Sequence, residues 1–416
     1  MKHVATNVDR SRSPIVIPFA ILGVLSILAL CSIGLAMITS SVATAGGTGD
    51  AVPIVSNVNS TSFLDRGPFG VGETTLTLPG TSTPVEVWYP ANASTYHGTP
   101  ATYNVKNSLP ASLQKAYASF AGVIYPSGGI SNVPMAAGKY PVVVFSHGYA
   151  GFNTQSTYLT SHLASWGFVV AAPEHVDRDL TAVLNGFLTG KTSTAQSNDV
   201  ADLEATILLM NSETTSSSSL FSNHLDMTRV GAVGHSAGGA AVEKLAVSDK
   251  QVDVFIGLAG ASYGAFGQSA TGAGATVPKV PGLLEYGTND QVVVPSGMIK
   301  AYNALNQPKR LISILNAGHL VFSDICQLAP GQGGLIGVAK QINLPVPASL
   351  VPLGSDGCLP PNDTVTKDWP VVNQSVTAQL RWALGFDPTQ AGLTGLSAAF
   401  PGRVGTNTTA ESVPQS

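Results

Sequence analysis

Apolar residues in this chain fall into short unbroken runs, separated by stretches with helical spacing. Residues 142–145 (VVVF) and 168–172 are continuous apolar runs, the mark of strands buried on both faces. Mostly apolar stretches at 229–233, 252–258, 282–286 and 311–315 read as further strands. Residues 73–78 and 84–89 instead alternate apolar and polar side chains, and Pro79-Gly80 lies between them. That pattern predicts two strands joined by a tight turn. Helix candidates lie at 155–166, 199–210, 295–305 and 371–384. Val200, Leu203, Ile207 and Leu208 stand at helical spacing in the second, and the third begins on Pro295. Strands alternating with helices predict an α/β fold, with an eight-stranded, mostly parallel sheet and helices on both faces.

Other stretches lack such periodicity. Residues 46–62 are small and polar and read as a linker. Residues 90–139 are rich in Pro, Gly, Asn, Ser and Tyr, with one short helix candidate at 113–120. Two readings stand for that segment: packing over a sheet edge, or a wall of a substrate cleft. Residues 326–368 are Pro- and Gly-rich and read as a second wrapping or capping insertion. The folded domain then spans 63–385, and 386–416 reads as a flexible tail.

The N-terminus has its own logic. Lys2, Arg10 and Arg12 precede an uncharged stretch whose apolar heart is 15–38, and Ala43-Thr44-Ala45 follows. Residues 1–45 are therefore expected to be a signal peptide or a membrane anchor. Leu30 before Cys31 excludes a lipoprotein site. Either reading puts the rest of the chain in a secreted or extracytoplasmic location, with membrane association open through this segment. Outside it lie two cysteines, Cys326 and Cys358. In an oxidising compartment they are expected to form a disulfide; buried thiols are the alternative.

Composition narrows the function classes. Only 11% of residues are charged, against roughly 25% in ordinary domains, and the net charge is −4. No Lys/Arg cluster is present, so no nucleic-acid partner is expected. Oligomeric state is not legible.

The candidate chemistry centres on RVGAVGHSAGGAAVEKLAV, residues 229–247. A strand, a tight turn and a helix are the context in which a G-x-S-x-G turn lifts a serine hydroxyl clear of a sheet. Gly234 and Gly238 leave room where that turn crowds its own backbone. The pentapeptide recurs around Ser262, but there it opens into a Gly/Ala/Ser/Thr-rich run without helical spacing. Ser236 is the candidate nucleophile. A serine needs a histidine base, and the base needs an acid; on this layout the chain order is Ser, acid, His. His319 is the single histidine after Ser236. Among the intervening acids, Asp290 follows a strand at its C-terminal end, the side where ligands bind in open α/β sheets. The oxyanion donors expected are the backbone N–H groups of Ala237 and Tyr149. His147, Glu174 and His175 lack the spacing of known metal sites, so no metal and no cofactor are expected.

These segments together carry a resemblance. YPVVVFSHGYAGF (140–152), LASWGFVVAAPEHVDRD (163–179), RVGAVGHSAGG (229–239) and GHLVFSD (318–324) resemble the platelet-activating-factor acetylhydrolase group of α/β-hydrolases, as do GPFGVG (67–72) and VWYP (87–90). The resemblance runs from about 63 to 324. It implies an α/β-hydrolase fold, with the nucleophile at Ser236, the base at His319 and oxyanion donors at Tyr149 and Ala237. That group carries its acid after the sixth strand, where this chain reads Gly257-Leu258-Ala259-Gly260 without a carboxylate. The run GTNDQVVVP around Asp290 is instead similar to bacterial cutinase-like polyester hydrolases and dienelactone hydrolases. The expected function is an exported serine carboxylic-ester hydrolase of the esterase or lipase kind, acting on an ester or lipid-like small molecule through a Ser-Asp-His triad. An acyltransferase on the same triad and a non-catalytic binding protein on the same scaffold are the alternatives.

Overall fold

The computed structural model describes residues 42–43, 51–92, 97–191, 198–262 and 276–410. The apolar segment at 15–38 lies outside them. Among the described residues, no helix is long and apolar enough to cross a membrane.

The fold is a mixed α/β sheet with helices on both faces. Its strands are β1 Gly70–Thr77, β2 Pro84–Ala91, β3 Pro100–Asn104, β4 Ile124–Ser131, β5 Tyr140–Ser146, β6 Val169–Pro173, β7 Leu225–His235, β8 Val252–Leu258, β9 Gly282–Gly287, β10 Lys309–Ile314 and β11 Val404–Ala410. Across the sheet they run β11-β10-β9-β8-β7-β5-β6-β2-β1-β4-β3. The six strands from β10 to β6 are parallel. The unbroken apolar runs are the cause. Along β5, Val143 and Phe145 face one core while Val142 and Val144 face cores on the other side, as the pleat dictates. The first face is covered by helices α1 Thr157–Ser165 and α8 Val365–Ala383, which bring Leu159, Leu163, Val376 and Leu380. The second is covered by α3 Asp199–Thr215, α4 Ala237–Ser248 and α5 Pro295–Ala304.

The eight-strand expectation is corrected to eleven, in a mixed sheet. All eight expected strands are present; the three extra ones lie at the margins of the sheet, β3 and β11 at its two edges and β4 between β3 and β1. β3 and β4 come from the segment at 90–139, and β11 from the supposed tail, where it pairs antiparallel with β10. Edge strands are held by backbone pairing and need no apolar run, so their polar sequences gave no signal. Glu73 on β1 fastens the wrapping segment to the sheet: it accepts from the hydroxyls of Ser131 and Tyr103, each at 2.6 Å. The expected linker is also packed from residue 51 on. Ala51 and Val52 are buried, and the Ala51 N–H donates to the Lys139 carbonyl.

Four α-helices among the described residues escaped the sequence reading: α2 Leu180–Thr189, α6 Leu335–Gln341, α7 Val351–Ser355 and the single turn Leu396–Ala399 in the supposed tail. The ends of α2 were nevertheless marked. Asp179 caps it by accepting from the Ala182 N–H, and Gly190 closes it at φ 66°. Cys326 and Cys358 are joined in a disulfide, which staples the segment carrying α6 and α7.

Arg381 on α8 is fully buried and ties the two ends of the domain together. It donates twice to Asp387, at 2.9 and 2.7 Å, and once to the Pro53 carbonyl, and it lies over the Phe63 ring. Removing one member of such a pair leaves a buried charge uncompensated. Asp387→Ala is expected to cost about 3–5 kcal/mol, read from urea unfolding curves.

Glu285 on β9 is fully buried, and neither carboxyl oxygen has a hydrogen-bond partner among the described residues. The nearby Ser375 hydroxyl already donates to the Val371 carbonyl. Burial pushes the Glu285 carboxyl up to about 8. The unfolded chain gives up this proton near the ordinary glutamate value, whereas the folded chain holds it. Stability from this group is therefore greatest on the acid side and falls as pH rises through that window. Glu285→Gln is expected to flatten the stability–pH profile between about pH 5 and 8, measured by chemical unfolding across that range.

Candidate active site

The turn between β7 and α4 is set by lack of space. A side chain at Gly234 would overlap the Gly238 carbonyl, and one at Gly238 would overlap the Ser146 carbonyl. Ser236 sits between them at φ 58°, ψ −121°, a strained conformation for a residue with a side chain. Its N–H donates to the Leu258 carbonyl at 2.8 Å, which pins the turn to β8. Of the second G-x-S-x-G copy, Gly260 to Ser262 pack against this turn. Ser262 donates its hydroxyl to the Ala240 carbonyl, and its N–H donates to Glu243. Ser262 is thus occupied in holding α4.

Asp290 and His319 meet. Asp290 Oδ2 lies 2.9 Å from His319 Nδ1, and both residues are buried. Asp290 Oδ1 accepts from the N–H groups of Val292 and Val293, at 2.8 and 2.7 Å. One carboxylate therefore shapes its own turn and also holds the imidazole. At the place where the resembling family carries its acid, Gly257 to Gly260 offer no carboxylate, and the Asp290–His319 contact is made from the next loop instead.

The His319 backbone is gripped from two sides. Its N–H donates to Asp356 Oδ2 at 2.7 Å, and its carbonyl faces His235 Nε2 at 3.1 Å. Burial and the neighbouring His319 hold the His235 pKa well below the usual histidine value. A neutral His235 with its hydrogen on Nε2 can donate to that carbonyl, while Nδ1 accepts from the Gln155 amide at 2.9 Å. The Gln155 side-chain oxygen in turn accepts from the Gly148 N–H. Gln155 therefore joins the loop at 146–149 to the Ser236 turn. Asp324 completes the frame: it caps α1 through the Thr157 N–H, while its own N–H donates to the Gln155 carbonyl.

Beneath the 146–149 loop lies a buried polar network. His175 Nδ1 faces Asp202 at 2.9 Å, and His175 Nε2 faces the Ser146 hydroxyl at 2.8 Å. Arg178 donates to the His147 carbonyl, to Ser146 Oγ and to Asp199. His147 Nδ1 lies 2.8 Å from the Gly148 carbonyl, and Nε2 accepts from the His175 N–H. Glu174 Oε1 lies 2.8 Å from His147 Nε2, and Oε2 accepts from the Asn153 N–H, so the three residues weighed as a metal site are engaged around the loop that carries Tyr149.

A cleft of about 1690 Å³, part of it open to solvent, lies over the turn. Ser236, Ala237, Tyr149, Phe187, Val292 and Leu350 are among its lining residues. Sequence reasoning missed Asp356, Gln155 and His235 as positioning groups. Asp356 had one faint signal, its place two residues before Cys358. Gln155 had none, because its partners His235 and Gly148 are brought to it by the fold.

Gly238→Ala would push a methyl group into the Ser146 and His147 carbonyls, and backbone on both sides leaves little room to give. The expected loss is at least about 1–3 kcal/mol, checked by thermal and urea unfolding.

A family model described as "Platelet-activating factor acetylhydrolase, isoform II" matches residues 80–216. Platelet-activating factor acetylhydrolases of two animals, Cavia porcellus and Gallus gallus, are each 35% identical to this chain, over 100 and 108 residues. These alignments take in 24% and 26% of this chain, and 22% and 24% of the relatives. The Canis lupus familiaris protein of the same name is 48% identical over 52 residues, 12% of each chain. The chain thus spans a quarter or less of the length of these curated relatives. The family match is narrower than the 63–324 stretch over which the motifs resemble that group. It takes in the 146–149 loop and its supporting network, and ends before Ser236. Over residues 80–216 this chain is similar to the platelet-activating factor acetylhydrolases.

Proposed function

We propose that the protein is a serine carboxylic-ester hydrolase of the α/β-hydrolase fold, acting on a lipid-like ester. The observation that carries the reading is the buried Asp290–His319 contact in a site whose neighbouring turn holds Ser236 in a strained conformation at the floor of a cleft. The strand order from β1 through β10, with antiparallel β2 leading into the parallel block, fits that fold. The similarity to acetylhydrolases supports an ester as substrate.

In this mechanism Ser236 Oγ attacks the ester carbonyl carbon. With Nδ1 held by Asp290, Nε2 is the ring nitrogen left to take the Ser236 proton. Asp290 fixes the tautomer and stabilises the imidazolium that forms. The N–H groups of Tyr149 and Ala237 receive the oxyanion, and each such donor is worth roughly 10²–10³ in rate. The alcohol leaves with the proton from His319, an acyl-enzyme remains, and water activated by the same histidine releases the acid. Residues 1–45 direct the chain out of the cytoplasm, which suits a protein carrying a disulfide.

The test compares wild type, Ser236→Ala and Asp290→Asn on p-nitrophenyl acetate. Ser236→Ala is expected to fall to background and to lose labelling by a fluorophosphonate probe. Asp290→Asn is expected to keep its fold and lose about 10⁴-fold in kcat, because the ring is no longer held in the productive tautomer. Near-wild-type turnover by Ser236→Ala would sink the assignment.

A further inference from the structure

Beside the cleft lies a second, narrow and partly open cavity of about 70 Å³ that the mechanism does not use. Its walls come from four parts of the chain: Val105 and Leu109 from the first wrapping segment, Ala150 beside Tyr149, helix α2, and residues 335–354 of the disulfide-stapled segment. Every lining side chain is aliphatic, apart from one glycine. Val183, Leu350 and Leu353 line this chamber and also the cleft over Ser236, so the two spaces share a wall and adjoin.

We infer that this chamber binds one unbranched aliphatic chain of the ester substrate. The inference rests on the Ser236 reading and deepens it by naming the substrate class. A polar ligand is excluded by the lining, since a polar group buried there would lose its hydrogen bonds to water and gain none. The lining offers no aromatic ring on which a planar ligand could stack. Protein interiors are close-packed, so a gap lined by aliphatic side chains between four elements and adjoining the cleft is room that a slender apolar chain can use. A flexible chain entering from the cleft fills it and buries its own apolar surface. Each methylene buried is worth about fourfold in kcat/KM. The two wrapping segments also acquire a shared purpose, because neither closes the chamber alone.

The chain could be the acyl group or the alkyl group of the alcohol, and the substrates chosen separate the two. Wild type, Ala339→Phe and Leu184→Trp are assayed on p-nitrophenyl acetate, p-nitrophenyl decanoate and decyl acetate. Both substitutions fill the chamber from walls that do not border the cleft. The expected result is that wild type prefers one long-chain ester over the acetyl ester. Both variants then lower that preference ratio at least tenfold. A fall on p-nitrophenyl decanoate assigns the chamber to the acyl chain, and a fall on decyl acetate assigns it to the alcohol. The acetyl ester, which has no long chain to place there, reports folding and chemistry in each variant. Decanoate binding by calorimetry gives a readout independent of turnover and should weaken at least tenfold in both variants. If wild type hydrolyses the acetyl ester but shows no chain-length preference, or if the variants leave both the ratio and decanoate binding intact, the chamber assignment is overturned. If wild type is inert and unlabelled by fluorophosphonate, the Ser236 reading fails instead, and decanoate binding alone then decides the chamber.

Discussion

The structure depends on a lack of room at one turn. A central strand must become a helix within a few residues, so the carbonyls of Ser146, Gly238 and Gly260 crowd the turn until only hydrogen fits beside them. Everything around the site is arranged about that constraint. Leu258 holds the Ser236 N–H, and the 146–149 loop lies against the turn from the other side, with Gly148 close to Ser236 and His235. His235, next to Ser236 in sequence, reaches across to the carbonyl of His319. A turn with ordinary freedom could not hold so many neighbours in fixed positions.

What the sequence made legible follows from how each feature is held. Strands in the parallel block are buried on both faces, and burial writes itself as unbroken apolar runs such as 142–145. The edge strands Pro100–Asn104 and Val404–Ala410 are held by backbone pairing, which leaves no trace in side-chain polarity. Asp290 and His319 could be found because chain order and position at a strand end restrict the choice. Asp356 could not, because its bond to the His319 amide spans 37 residues of a Pro- and Gly-rich segment without a periodic signal. Helix α2 is a different kind of miss. Asp179 and Gly190 bracketed it, but the chain between them carries Asn and Gly, which weakened the helical reading.

The two aperiodic segments are where this chain departs from a plain sheet-and-helix design. The first extends the sheet edge by two strands and also sends Val105 and Leu109 to the side chamber. Packing over the sheet edge is thus observed, while a part in walling a substrate space rests on the chamber proposal. The second is stapled by Cys326–Cys358 and contributes to the chamber wall and, through Asp356, to the support of the His319 loop. On the chamber proposal, recognition and positioning share one segment.

That sharing bears on when the molecule becomes competent. The bridge closes only where thiols are oxidised, and Cys358 lies two residues from the carboxylate that grips the His319 amide. In a reducing cytosol the same chain lacks the staple on that grip. On the proposed reading of an exported esterase for lipid-like substrates, maturation is then tied to geography: the cell's own lipids meet no finished catalyst until the chain has left.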